Sequence, residues 1–486
     1  MTDNLSKYEI VIGLEVHAQL LTESKMFCPC SAHYAAAPAN TYVCPICLGM
    51  PGALPVINQK AVEYTIMTGL ALNCEIPTFT KFDRKNYHYP DLMKGYQISQ
   101  YDHPLCKNGS LEVEVEGDLR RVGITRVHLE EDTARLLHVT EAADGAHSLV
   151  DVNRSGVPLM EIVSEPDIRS PEEARLYLVK LRQILRYLGI STGNMEEGSF
   201  RCDANISLRP WGTTAFGGKV EIKNMNSFRS VFRALEFEAQ RQADVLAAGG
   251  KIDQETRGWV DARGVTVSQR SKEYAHDYRY FPEPDLPPLE ITRDKVEELR
   301  RQLPELPDAK EERFQSEFGL PAYDAGLLTA SRETAEYYER AVALHPNPKV
   351  VSNWLLGELF RLLNAANAEI EQSKVTPEHL AGLLQLIDRG EVSQQAAKTV
   401  LAEVFATGKN PAEVVAEKGL GQVSDAQALA GIIDEVIAAN PQSAADYKSG
   451  KKQALGHLVG QVMRATKGSA NPGLVNKILA EKLSGD

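Results

Sequence analysis

The sequence predicts an α+β protein in which a strand-rich first part precedes a helical second part. Three observations lead there. Apolar and polar residues alternate with period two in segment after segment of the first ~290 residues. A proline-rich seam, FPEPDLPPLEI at 281–291, closes that region. Beyond it the chain reads as almost wholly helical. The expected domains are therefore 1–292, 293–370 and an alanine-rich 371–486.

The elements follow in order. In VIGLEVH, Ile12, Leu14 and Val16 point one way and Gly13, Glu15 and His17 the other. In SLEVEVEGD, Leu111, Val113 and Val115 alternate with glutamates, and Gly117-Asp118 is expected to turn the chain into a hairpin. RCDANISL sets Cys202, Ala204, Ile206 and Leu208 against Arg201, Asp203, Asn205 and Ser207. KVEIK sets Val220 and Ile222 against Lys219, Glu221 and Lys223. Ser170-Pro171-Glu172-Glu173 has the form of a capping box with proline at the first helical position. Tyr177, Leu181, Ile184, Leu185 and Leu188 follow at helical spacing, and Gly189 ends the run. A second helix is expected from about Phe228 to Ala248, stopping at Gly249-Gly250. Near the end, Leu455, Leu458, Val459, Val462 and Met463 form one apolar helix stripe that Gly468 can terminate. A last helix carries Leu474, Val475, Ile478 and Leu479.

The first twenty residues lack the basic start and apolar core of a signal peptide. No apolar run reaches the ~18 residues of a membrane helix. A cytoplasmic protein is expected, and there clustered cysteines bind metal more often than they pair. Four of the seven cysteines form such a cluster: Cys28-x-Cys30, thirteen residues, then Cys44-x-x-Cys47. Four thiolates close a tetrahedral zinc or iron site and leave no position for substrate, which describes a structural centre. A redox reading of Cys44-x-x-Cys47 lacks the βαβ context of a thioredoxin. Cys74, Cys106 and Cys202 lie among apolar neighbours and read as core residues.

The net charge of −13 argues against a general polyanion binder. Residues 448–486 differ, with seven basic residues against two acidic, and suit a local phosphate-backbone contact.

Chemistry is expected on one polar sheet face. Glu15 and His17 stand there together, Gly13 leaves room for close approach, and Glu130, Glu131 and Asp132 leave another strand in succession. Asp203, Asn205, Glu221 and Lys223 extend the pattern. Glutamates and a histidine on one face suit Mg²⁺ shared with nucleotide phosphates. In KFDRKNYHYPDLMKGYQISQY, cations Lys81, Arg84, Lys85 and Lys94 are interleaved with Tyr87, Tyr89 and Tyr96, as for phosphate and base contacts. HDYRYFPEPD at 276–285 is a second such loop. No P-loop, dinucleotide-binding glycine motif, nucleophile elbow or H-E-x-x-H is present.

Taken together, VIGLEVHAQL, KFDRKNYHYPD, YQISQYD, HLEED, LVDVNRSGVPLMEIVSEPD, EGSFRCDANIS, EIKNMNSFR and DYRYFPEPDLPPL resemble the signature blocks of one family. It is the B subunit of aspartyl/glutamyl-tRNA(Asn/Gln) amidotransferase, and the resemblance covers essentially the whole chain. It implies a glutamine-synthetase and guanido-kinase-like cradle around an antiparallel sheet, followed by all-α helical and YqeY-like tail domains. It implies a ligase that uses ATP and Mg²⁺ to phosphorylate the side-chain carboxylate of misacylated Glu-tRNA(Gln) or Asp-tRNA(Asn). Ammonia, delivered from glutamine by the amidase A subunit, then displaces phosphate. The implied heterotrimer also includes a small C subunit. By match to the motifs, Glu15, His17 and Glu131 bind Mg²⁺ with Glu130 close by, and Lys85 contacts phosphate or the substrate carboxylate. Asp203 and Asn205 contact nucleotide or a second metal; Cys28, Cys30, Cys44 and Cys47 hold structural zinc. Lys451, Lys452, Arg464, Lys467 and Lys477 hold tRNA. The chain departs from the family pattern at Thr133-Ala134-Arg135, Met93 and Gly218. Two other readings stay open: a stand-alone ligase of a small carboxylic acid, which needs no basic tail, and a zinc-stabilised RNA binder without ATP turnover.

Overall fold

The computed structural model describes residues 4–139, 145–271, 277–421, 426–466 and 470–484. The chain divides into two compact units, Met1–Leu306 and Pro307–Asp486.

The first unit is built on one eight-stranded sheet. In chain order its strands are β1 (Tyr8–Gln19), β2 (Cys106–Val115), β3 (Asp118–Glu131), β4 (Pro158–Ser164), β5 (Phe200–Pro210), β6 (Val220–Lys223), β7 (Glu255–Val260) and β8 (Val265–Ser271). They lie side by side as β8-β7-β6-β5-β1-β4-β3-β2. Three helices, α1 (Gln59–Ala71), α2 (Pro171–Tyr187) and α3 (Phe228–Ala247), pack against it. The expected antiparallel sheet is in fact mixed, because β6 and β7 run parallel. The α3 crossover between them returns the chain to the same edge, which forces that direction.

The alternation read from sequence is observed. Ile12, Leu14, Val16 and Ala18 of β1 are buried with Cys202, Ala204 and Ile206 of β5, all within one core. Gly13, Glu15, His17 and Gln19 lie half-buried on the other face. The β2–β3 hairpin turns one residue earlier than expected. Glu116 and Gly117 both have positive φ, 54° and 88°, and Asp118 already pairs with Val115. Two left-handed residues give the turn that matches strand twist.

Ser170 caps α2 by accepting from the Glu173 N–H at 3.1 Å, but the Glu173 carboxylate closes back on the N–H of Arg169 at 2.8 Å rather than on Ser170. Gly189, at φ +66°, ends the helix. A small three-stranded sheet of Phe281–Pro282, Asp83–Asn86 and Tyr96–Ser99 stands beside β3. It brings the two tyrosine-rich segments, far apart in sequence, against one another.

The second unit is helical throughout. One core gathers Phe314, Tyr338, Leu355, Leu384 and Leu401; another gathers Leu429, Ile433, Leu458, Val462 and Leu479. The predicted stripe of the helix Gln453–Ala465 faces the latter, with Leu458 and Val462 fully buried. Asn471 accepts from the N–H groups of Gly473 and Leu474 at 3.0 and 3.2 Å, so Asn471-Pro472 is the start signal of the final helix Pro472–Ser484. Gly468, expected to end the preceding helix, lies outside the described residues. Among the described residues, no helix is long and apolar enough to cross a membrane.

Candidate active site and metal centre

Strand register builds the site. His17 of β1 pairs with Glu161 of β4 on one side and Arg201 of β5 on the other, and Glu161 pairs in turn with His128 of β3. Residues in register on adjacent strands share a face. Arg201, His17, Glu161 and His128 therefore form one row across four strands. Glu15 opposite Asp203 begins the next row, and Glu130, two residues beyond His128, closes the group from β3. Together they line a cleft of about 550 Å³.

At its centre, ligand atoms of His17, Glu130 and Glu161 lie within 4.8 Å of one another. His17 Nε2 is 3.4 Å from Glu161 Oε2 and 3.7 Å from Glu130 Oε1. Ligands of an octahedral ion at ~2.1 Å stand about 3.0 Å apart when cis and 4.2 Å when trans, so these separations suit a small divalent cation. Ser99 Oγ donates to Glu130 Oε2 at 3.0 Å, which leaves the other oxygen to face His17. His128 has a different part. Its Nδ1 accepts from Arg126 Nε at 3.3 Å, so its Nε2 carries a proton toward Glu161, 3.5 Å away. A histidine committed in this way orients a carboxylate rather than binding metal.

Electrostatics agree with the geometry. Burial raises the carboxyl pKa of Glu161, but His128 and His17 outweigh it and hold the group well below the carboxylate range. Burial likewise works against charge on Glu130, and His128 and Lys85 keep its pKa lowered. Burial opposes protonation of His17, yet Glu161 and Glu130 raise its pKa. The Lys85 ammonium, against Tyr278 at 5.1 Å, is raised by Glu130, Tyr280 and Glu161 despite burial. The site is a charged network whose anionic members suit a cation.

The structure brings Glu15, His17, Lys85, Glu130 and Asp203 to this cleft. Glu15 accepts from Asn205 Nδ2 at 3.0 Å, and Asp203 is taken by Lys223. Glu131 does not join the proposed Mg²⁺ ligands. It follows Glu130 on β3, so its side chain leaves by the opposite face, where it accepts from Lys94 and from the N–H of Ile98 at 3.0 Å. Strand parity also separates the cations of the tyrosine-rich segment. Arg84 forms a bidentate pair with Glu283 at 2.7 Å, Lys81 pairs with Asp83 and Asp102, and only Lys85 turns into the cleft.

Sequence reasoning missed Glu161, His128 and Arg201 as site residues. The one legible signal was Glu161 itself, a lone charge in the apolar strand PLMEIVS. Arg201 is tied to Asp132 at 2.8 Å, and Asp132 also accepts from Gln19 at 2.7 Å.

Beside the cleft, an apolar slot of about 280 Å³ is lined by Val11, Leu14, Val163, Pro166, Ile206 and Phe216, and reaches Glu15 and Asn205 at its polar end.

The four cysteines converge as a second centre, with all Sγ atoms within 4.8 Å. Cys47 Sγ lies 3.6 Å from Cys44 Sγ and 3.9 Å from Cys30 Sγ. Tetrahedral sulfur at ~2.3 Å from zinc gives an S···S edge of about 3.8 Å, so the four thiols fit a zinc ion. None is in a disulfide. A hydrogen bond from Cys28 lowers the pKa of the Cys47 thiol, against the effect of burial.

In the second unit, Lys451, Lys452, Arg464 and Lys477 are exposed. The Lys451 ammonium pairs with Asp446 at 3.1 Å. Lys467 lies outside the described residues.

A polar cleft on one sheet face that holds a candidate metal cluster is the arrangement of a candidate catalytic site. Residues 10–297 match the GatB/GatE catalytic domain and residues 336–483 the GatB domain. The aspartyl/glutamyl-tRNA(Asn/Gln) amidotransferase B subunit of Moorella thermoacetica is 59% identical over 98% of this chain and 100% of its own length. That of Carboxydothermus hydrogenoformans is 57% identical over 99% and 100%. That of Dehalococcoides mccartyi is 57% identical over 99% of each chain. The chain belongs to the family of aspartyl/glutamyl-tRNA(Asn/Gln) amidotransferase B subunits, which are carbon–nitrogen ligases.

Proposed function

We propose that this chain converts misacylated Glu-tRNA(Gln), Asp-tRNA(Asn) or both to the amide form by way of an acyl phosphate. The observation that carries the reading is the His17–Glu130–Glu161 cluster with Lys85 in the same cleft. A carboxylate is a poor acyl donor because oxide would have to leave. Attack of a carboxylate oxygen on the γ-phosphorus of ATP releases ADP and creates a phosphate leaving group. Ammonia then adds to the acyl carbon, phosphate departs, and the nitrogen loses a proton.

His17, Glu130 and Glu161 hold Mg²⁺, which when bound neutralises charge on the phosphates. Glu15, on the next row, orients through Asn205 at the mouth of the apolar slot. The slot takes the nucleotide base, an assignment supported by its apolar walls and its junction with the cleft. Lys85 meets transferred phosphate or the substrate carboxylate. Arg201, fixed by Asp132, supplies a second cation on the same row. Cys28, Cys30, Cys44 and Cys47 hold structural zinc. Ammonia comes from a partner amidase, and a small third protein completes a cytoplasmic heterotrimer.

Assaying the chain with and without those partners, with Mg-ATP, ammonium and Glu-tRNA(Gln), tests this. Amide and ADP should form together. Failure to form amide even when ammonium is supplied would rule the reading out, and tRNA binding without ATP turnover would favour the RNA-binding alternative.

The exposed tail cations are proposed to meet tRNA phosphates. Replacing Lys451 and Lys452 together by alanine should weaken tRNA binding and reduce the slope of log affinity against log salt by about 2. An unchanged slope in filter binding excludes both from the interface.

A further inference from the structure

We propose that Lys25 is the built-in counter-cation of the tetrathiolate centre. The inference rests on the zinc reading of the four cysteines given above. Four thiolates around one Zn²⁺ leave two net negative charges in the protein. Buried charge is tolerated when an opposite charge accompanies it.

Lys25 is 1% exposed, among the most buried large side chains of the protein. Its Nζ donates to the carbonyls of Tyr42 at 2.8 Å and Val152 at 3.4 Å. Both are neutral, and among the described residues no carboxylate stands within ion-pair distance of it. The other buried lysine among the described residues, Lys310, has one, Glu339 at 2.8 Å. Carbonyl dipoles orient an ammonium but do not balance its charge.

The anion that fits is the cysteine cluster, because Lys25 is tied to it at both ends. Its main-chain N–H donates to the Cys30 carbonyl at 2.9 Å. Its ammonium grips Tyr42, two residues before Cys44. Through Val152 the ammonium also anchors the turn at Asp151–Arg154, whose Asn153 accepts from the Tyr42 N–H at 2.8 Å and donates to the Pro38 carbonyl at 2.7 Å. Lys25 thus joins the metal loop to the turn that carries Arg154, which donates to the carbonyls of Thr133 and Ala134.

The test compares full-length wild type, Lys25→Met and Lys25→Arg, each zinc-loaded and zinc-stripped. Zinc release to a chromogenic chelator and the thermal unfolding midpoint are read. Lys25→Met should release zinc on the order of 10-fold faster, the usual scale for loss of an outer partner of a metal site. Lys25→Arg, which keeps the charge, should recover part of that loss. Lys25→Met should also lower the midpoint more in the zinc-loaded than in the zinc-stripped protein, in which the four sulfurs are no longer held as thiolates by the metal. A side chain that only filled space would cost the same in both states. Equal destabilisation with and without zinc, up to failure to fold in both, overturns the proposal, as does unchanged zinc release. If wild type takes up no zinc at all, the zinc reading itself fails.

Discussion

Glu161→Gln will abolish ATP-dependent amide formation and weaken metal binding at the cleft by at least about 100-fold. Removing even an outer partner of a metal site costs ~10–100-fold, and Glu161 is placed as a direct ligand. Its carboxylate is also the anion that His17 and His128 share, at 3.4 and 3.5 Å. Glutamine keeps the shape but not the charge, so both imidazoles lose their reason to face inward. The fold should survive, because the neighbours Met160 and Ile162 on the opposite face of β4 remain fully buried. Glu131→Gln is the informative comparison. Glu131 faces Lys94 and the Ile98 N–H, away from the cluster, so its variant should bind Mg²⁺ about as wild type does. Titration with Mn²⁺ as a spectroscopic substitute decides the matter. Normal affinity in Glu161→Gln, or its loss in Glu131→Gln, would reverse the ligand assignment.

Stripping zinc should lower stability first and activity only as a consequence. A structural zinc contributes folding energy directly. The loop it closes packs next to the core through Phe27, which is 2% exposed and meets Phe82 edge-on at 5.6 Å. Loss of about 3 kcal/mol would lower the unfolding midpoint by about 6–12 °C at the ~2–4 °C per kcal/mol of a large domain. At temperatures where the stripped protein is still folded, its rate of ATP-dependent amide formation should stay near that of the loaded protein. A full loss of rate with no change in midpoint would instead make the centre catalytic.

The amino-acid sequence by itself determined much of this protein. Period-two alternation located β1, β5 and their polar face, because burial of Ile12, Leu14 and Val16 leaves Glu15 and His17 no other side. The C-x-C and C-x-x-C spacing located the four-cysteine cluster, since four side chains near in sequence need little tertiary help to converge. Ser170 and Gly189 marked helix ends, the first by a local hydrogen bond and the second by its left-handed backbone. Its failures have two causes, parity at the end of a strand and register between strands. Glu130 and Glu131 are chemically equal neighbours, and only the parity of β3 sends the first into the cleft and the second to Lys94. Glu161, His128 and Arg201 became site residues through lateral register, with His17 opposite Glu161 and Glu161 opposite His128. Register between strands distant in sequence is set by how whole sheet faces pack against α1, α2 and α3, and no local pattern encodes it. Likewise, the charge balance of Lys25 is visible only once folding has buried it beside the cysteines. What is written locally, strand faces and cysteine spacing, could be read from the chain; which charged groups meet across the sheet was decided by tertiary packing.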